Sequence, residues 1–283
     1  MSVARPLLPV LALAAMALLL AHPASAACDG TAAPAGATTI EVGGSMRVFV
    51  LRKSSAVDNR MPAPVVFVFH PYGMSAQYME SRVSSRNWPG AIFVYPEGAS
   101  RPGSGFAPAW QGRLGEFENR DLSFFDAMVA WLSERQCIDR RRIVAFGYSN
   151  GAGFAGLLAC ERADTIAAVA MASGRLGCVP RTARPAALTH GVNDSTIPYS
   201  EGVRAAAAWT TQNGCKAPPA VGKVGCFAAT GCRDVTPVMM CTSAGGHEYS
   251  SAFTRAALEL FQKLPVATSA TLPGALSPGR DTR

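Results

Sequence analysis

The stretch RRRIVAFGYSNGAGFAGLLAC, residues 140–160, decides how the rest of the chain is read. A β-branched apolar run, RIVAF at residues 142–146, passes into the glycine-flanked Ser149 and then into small residues suited to a closely packed helix. GYSNG fits the pattern G-x-S-x-G. Short glycine-serine strings are common, so it is the strand-turn-helix setting that gives the match its meaning, because it is the setting of a nucleophile elbow. A sharp turn brings neighbouring backbone close, which is a reason for Gly147 and Gly151 to lack side chains, and Ala152, Gly153 and Ala155 let the following helix sit tightly beneath it. If Ser149 acts as a nucleophile, the chain must also supply a base, an acid to orient that base, and donors for an oxyanion.

The context outside this stretch fits. Two strand-like runs, residues 38–42 and 46–51, flank the turn Gly43-Gly44-Ser45 and read as an antiparallel hairpin. Beyond it, continuous apolar runs at residues 65–69, 91–95, 142–146, 166–172, 186–190 and 235–241 have the character of strands buried on both faces. Helical patterns lie among them at residues 121–134, 150–162, 202–213 and 250–264. This alternation predicts an α/β domain with a mostly parallel central sheet and helices on both faces, over residues 27–264. The tail, residues 265–283, is rich in Pro, Ser, Thr and Gly and is expected to be disordered.

Residues 1–26 read as a signal peptide, with Arg5, an apolar run at residues 7–21 and the small-x-small site Ala24-Ser25-Ala26, so the mature chain is expected to begin near Ala27. The apolar run is shorter than the ~20 residues of a spanning helix, and no later segment is long enough, so no membrane span is expected. Ser25-Ala26-Ala27 before Cys28 match a Leu-led lipobox poorly, which argues against lipidation. These features point to an exported, secreted protein. Eight cysteines in such a chain favour disulfides, and without a C-x-x-C pair they give no zinc pattern. The net charge of +7 is spread thinly, and its densest patch, Arg140-Arg141-Arg142, reads as a solvated corner before a strand rather than a nucleic-acid site.

A serine hydroxyl is a weak nucleophile without a base. Of the four histidines, His22 leaves with the leader, while His70 and His190 each end an apolar strand, where a structural hydrogen bond is the simpler role. His247 sits in AGGHEYSS, a glycine loop between the last strand and the last helix, and is the candidate base. The orienting acid is expected between serine and histidine, after a later strand. Asp194 in LTHGVNDSTIPY meets that requirement. Asp164 is too near the nucleophile helix, Asp234 begins a strand, and Glu248 is adjacent to the histidine itself. For the oxyanion hole, the backbone N–H of Asn150 opens a helix, where the dipole assists. The second donor is expected in FHPYGMS; Pro71 has no N–H, which leaves Tyr72.

With these residues assigned, the chain resembles the secreted esterases of the α/β-hydrolase fold that include feruloyl esterases, acetylxylan esterases and polyhydroxybutyrate depolymerases. The resemblance rests on VVFVFHPYG, GYSNGAGFAGLLAC, AAVAMASGRLGC, THGVNDSTIPY, NGC and GGH, spread over residues 65–247. It implies a Ser149, His247, Asp194 triad working by two-step acyl transfer with no metal or organic cofactor. It also implies an ester substrate, whether small or polymeric, with hydroxycinnamate esters of plant cell-wall polysaccharide first among the candidates. A polyester depolymerase or acetylxylan esterase would use the same triad, and a silent binding protein of this fold is the non-enzymatic alternative. Two departures border the substrate pocket: His70-Pro71 stands where His-Gly is usual, and Glu248-Tyr249 follows the histidine where many members have Trp-Pro. Trp110 and Gln111 in APAWQGRLGEF are candidates to line the cleft. The resemblance also guides a disulfide expectation: Cys28–Cys137, Cys160–Cys178, Cys215–Cys241 and Cys226–Cys232.

Overall fold

In the computed structural model, residues 28–263 are described apart from Pro102, Ser104, Asp234 and Val235. The signal-peptide and tail expectations, residues 1–26 and 265–283, therefore lie outside the described residues, as does the start of the strand expected at residue 235. Along the chain run β1 (Gly36–Val42), β2 (Ser45–Lys53), β3 (Ala63–Phe69), α1 (Ala76–Glu80) and β4 (Ile92–Pro96). Next come the two-residue strands β5 (Ala99–Ser100) and β6 (Pro108–Ala109), then α2 (Arg120–Arg135), β7 (Ile138–Tyr148), α3 (Asn150–Glu161), β8 (Ile166–Ala172) and β9 (Ala186–Gly191). The chain continues with α4 (Tyr199–Gln212), β10 (Gly225–Ala228), β11 (Val238–Ser243) and α5 (Ser251–Gln262).

Nine of the described strands form one sheet in the order β1-β2-β4-β3-β7-β8-β9-β11-β10. The β1–β2 hairpin, with Gly43 and Gly44 at its turn, adds to the edge by antiparallel pairing of β2 with β4. From β4 to β11 every pairing is parallel, and β10 closes the far edge antiparallel to β11. Successive side chains of a strand point to opposite faces, so each apolar run feeds two cores. Val65, Phe67 and Phe69 of β3 pack with Phe125 of α2, Phe154 of α3 and Trp209 of α4. Val66 and Val68 face the other way, toward Met79 of α1 and Phe253, Leu258 and Phe261 of α5. Burial on both faces is the reason these strands read as unbroken hydrophobic runs.

Several boundaries differ from expectation for identifiable reasons. β7 begins at Ile138, so Arg140, Arg141 and Arg142 lie inside the strand and not on a corner before it. The register against β3 shifts between Ala63 and Val65, and at this bulge Asp139 accepts hydrogen bonds from the Arg141 N–H (3.0 Å) and from Arg142 Nε (2.9 Å). α4 starts three residues early because Pro198, with φ −53°, already sets the helical entry. Ser250 caps α5, its Oγ accepting the Phe253 N–H at 3.1 Å, and does not belong to its first turn.

Two of the four expected disulfides are corrected. Cys28–Cys137 and Cys160–Cys178 are formed, but Cys215 joins Cys232 and Cys226 joins Cys241. The cause is β10, which the sequence reading did not contain: its antiparallel register places Cys226 directly opposite Cys241. That pairing leaves Cys215 to Cys232.

Candidate active site

Three loops at the carboxyl ends of parallel strands converge here. Ser149 follows β7, Asp194 lies three residues after β9, and His247 lies four residues after β11. Ser149 has φ 55° and ψ −118°, a region that a non-glycine residue rarely occupies, so the turn holds strain. Close packing around the turn explains its glycines. A Cβ on Gly147 would lie 2.1 Å from the Gly151 carbonyl oxygen, and one on Gly151 would lie 2.3 Å from the Phe69 carbonyl oxygen. The Ser149 N–H donates to Ala172 O at 2.8 Å, anchoring the elbow to β8.

His247 Nε2 is 2.8 Å from Ser149 Oγ, and His247 Nδ1 is 2.7 Å from Asp194 Oδ2. The carboxylate can only accept, so Nδ1 carries the proton and Nε2 is left to accept from the serine hydroxyl. Asp194 has a buried side chain. Burial works to raise its pKa, but N–H groups of Ile197 (2.8 Å) and Thr196 (2.9 Å) on Oδ1, with His247 on Oδ2, outweigh it and hold the carboxyl below its ordinary value. The loops of base and acid are stitched together: Asn193 N–H donates to Gly245 O at 3.0 Å and Asn193 Nδ2 to Ala244 O at 2.8 Å.

Asn150 opens α3, so its N–H has no acceptor within the helix and lies beside the nucleophile. Its side chain does something the sequence did not announce. Asn150 Oδ1 accepts the Trp110 N–H at 2.8 Å while Nδ2 donates to Trp110 O at 3.0 Å, a two-point clip on the next loop. Trp110 Nε1 in turn donates to His70 O at 3.0 Å. Across the site, Tyr72 is half exposed and its N–H has no hydrogen-bond partner among the described residues. Gly73 N–H is already committed to Pro108 O at 2.9 Å. The Tyr72 N–H therefore stays a candidate oxyanion donor.

Trp110 and Gln111 do not line a cleft, which corrects that expectation; both are buried. Trp110 stacks on Phe154 with centroids 5.2 Å apart. Gln111 Oε1 accepts the N–H groups of Asp121 and Leu122, both at 3.2 Å, and so satisfies the start of α2.

His70 and His190 are structural in the way their strand-end positions imply, and each touches the site's frame. His70 is fully buried, Nδ1 donating to Pro71 O at 2.8 Å and Nε2 accepting the Gly98 N–H at 2.9 Å. Burial pulls its pKa down from 6.5 to about 4, against a small opposing effect of the Pro71 carbonyl. His190 Nε2 is hydrogen-bonded to Ile197 O at 2.8 Å and lies 3.2 Å from Asp194 Oδ2. Tyr148 was also missed. Its hydroxyl donates to His247 O at 3.0 Å and its ring stacks on the imidazole at 5.5 Å. Its place as the x before Ser149 was the available signal. Tyr249, two residues beyond His247, donates to Arg82 O at 3.0 Å.

A serine, an imidazole and a carboxylate in relay at strand ends of this sheet define a carboxylic-ester hydrolase of the α/β-hydrolase fold, and relatives of known kind agree. Feruloyl esterase C of Emericella nidulans is 31% identical over 71% of this chain and 76% of its own length. Feruloyl esterase D of Neurospora crassa is 28% identical over 74% of this chain and 73% of its own. No family model matches the chain. Among solved structures, an acetyl xylan esterase from Aspergillus awamori superposes with a TM-score of 0.60 at 14% identity, covering 80% of this chain and 99% of that one. The carboxylesterase of Bacillus cereus gives a TM-score of 0.57 at 18% identity, covering 77% and 94%. The chain belongs to the feruloyl esterase family.

Proposed function

We propose that this protein is an exported feruloyl esterase that hydrolyses hydroxycinnamate esters of plant cell-wall polysaccharide through Ser149, His247 and Asp194. The observation that carries the reading is the relay itself, Oγ to Nε2 at 2.8 Å and Nδ1 to Oδ2 at 2.7 Å. Ser149 attacks the ester carbonyl as His247 takes its proton, and Asp194 holds the imidazole and stabilises its cation. The negative oxygen of the tetrahedral intermediate meets the N–H groups of Tyr72 and Asn150. His247 then returns the proton to the departing alcohol, and water releases the acid by the same steps in reverse order of roles.

That the relatives in Emericella nidulans and Neurospora crassa are feruloyl esterases supports a hydroxycinnamate acyl group, and the disulfides suit an oxidising compartment outside the cytoplasm. Residues 1–26 serve in this reading as a removable leader, residues 27–264 as the hydrolase domain and residues 265–283 as a tail. The deciding experiment assays wild type and Ser149→Ala on methyl ferulate, acetylated xylan, short p-nitrophenyl esters and polyhydroxybutyrate. Methyl ferulate is expected to be the best substrate, with Ser149→Ala losing several orders of magnitude in kcat/KM. A preference for acetylated xylan or the polyester refutes the substrate, and a folded Ser149→Ala protein retaining more than a few per cent of activity refutes the mechanism.

A further inference from the structure

A cleft of about 690 Å³ opens beside the elbow, between the segment following Trp110 and the segment following β8. Its floor is apolar, with Leu176, Ala205 and Ala208, and its rim carries Arg113, Arg175 and Arg204. Both walls belong to the frame of the catalytic serine. A Cβ on Gly174 would lie 2.4 Å from that of Ala152 and 3.1 Å from Ser149 O, so the second wall leaves the elbow at contact distance. The first wall follows Trp110, whose backbone Asn150 holds at both its N–H and its carbonyl. The two walls touch where a Cβ on Gly177 would lie 2.1 Å from Gly112 O, and Cys160–Cys178 ties the second wall to α3.

The charge in this cleft is unbalanced. A single carboxylate, Glu201, serves both Arg175 (3.4 Å) and Arg204. Glu116 spends an oxygen on the Gly112 N–H at 2.7 Å. Arg113 has no carboxylate partner among the described residues. Three guanidinium groups share this rim, and their planar forks suit carboxylates by two-point contact. Nothing in the acyl-transfer steps uses them.

We propose that this arginine-rimmed cleft is a subsite for a carboxylate carried by the ester substrate, its apolar floor taking the adjoining hydrocarbon and Arg113 with Arg175 taking the anion. The inference rests on Ser149 being the nucleophile, because the subsite acts by holding the ester over it. The carboxylate could belong to the acid half, as in a half-ester of a dicarboxylic acid, or to the alcohol half, as in a uronic-acid unit; the chemistry of recognition is the same.

The test uses two matched pairs of esters differing only in carboxylate against primary amide. Monoesters of adipic acid with p-nitrophenol and their adipamate counterparts place the group on the acid half, and para-acetoxybenzoate against para-acetoxybenzamide places it on the alcohol half. Wild-type enzyme is expected to favour the anionic member of at least one pair by about fivefold in kcat/KM, the scale of two or three exposed ion pairs. The pair that responds identifies the half that carries the anion. The preference should shrink as salt is raised toward ~0.5 M, where screening is short-ranged. It should fall toward unity in Arg113→Gln, Arg175→Gln and their double variant, each checked by thermal melting. Equal rates within both pairs overturn the subsite while leaving the esterase reading intact. A preference unchanged in the double variant also overturns it. Absence of hydrolysis of every ester, amides included, overturns the reading of Ser149 instead.

Discussion

Acidification should weaken this protein through His70, and the size of the effect follows from the burial of one ring. In the folded chain His70 is neutral: its Nε2 must accept the Gly98 N–H, and protonating it would turn an acceptor toward a donor. Its pKa, pulled down to about 4, lies well below the ordinary value of 6.5. The unfolded chain therefore binds the proton first as pH falls, so stability is complete above 6.5, declines between 6.5 and 4, and levels below. At about 1.36 kcal/mol per pKa unit, the full loss is about 3 kcal/mol, with about 2 kcal/mol gone by pH ~5. Glu97 faces the same ring at 3.7 Å, and burial raises its own pKa against the pull of the Ala76 N–H. Urea unfolding of wild type and His70→Gln at pH values spanning about 8 to 5 isolates the histidine, because Glu97 and the other groups remain in both. Wild type should lose about 2 kcal/mol more than the variant over that range. Parallel pH profiles for the two proteins would refute a neutral, depressed His70.

Asn150→Ala should strip both backbone groups of Trp110 of their partners, lowering stability by about 1–3 kcal/mol in denaturant titration and reducing kcat as the loop loosens. Tyr72→Pro should cost about 10²–10³ in kcat on a small ester while Tyr72→Phe stays near wild type, since the backbone N–H is the group at issue. Replacing both Cys28 and Cys137 by Ala opens a loop spanning a sequence separation of 109, and the chain-entropy model puts the loss at about 5 kcal/mol, read as a fall in Tm.

The sheet and the three reacting residues were legible because their signals are local. Each central strand is a short apolar run, and Ser149, Asp194 and His247 each sit in a polar or glycine-rich turn just beyond one. β10 was not legible: Gly225-Cys226-Phe227-Ala228 is a weak β-former, half exposed along its length, and exists as a strand only because β11 offers an edge. The disulfide exchange followed from that single omission. Trp110 and Gln111 misled for a related reason. An aromatic-amide pair in a loop looks like a cleft lining, and only tertiary packing against Phe69, Phe154 and the start of α2 takes it inside.

The clip between Asn150 and Trp110 has a mechanical corollary. Asn150 supplies one candidate oxyanion donor by its main chain and grips Trp110 by its side chain; Trp110 grips the carbonyl of His70, two residues before the other donor, Tyr72. The two donors are thus struts of one truss, with a tryptophan as the crossbar. The indole is buried, so in the proposed reading this link holds the hole close to its working width before an ester arrives. On that reading, turnover should show no slow isomerisation ahead of the first acyl transfer.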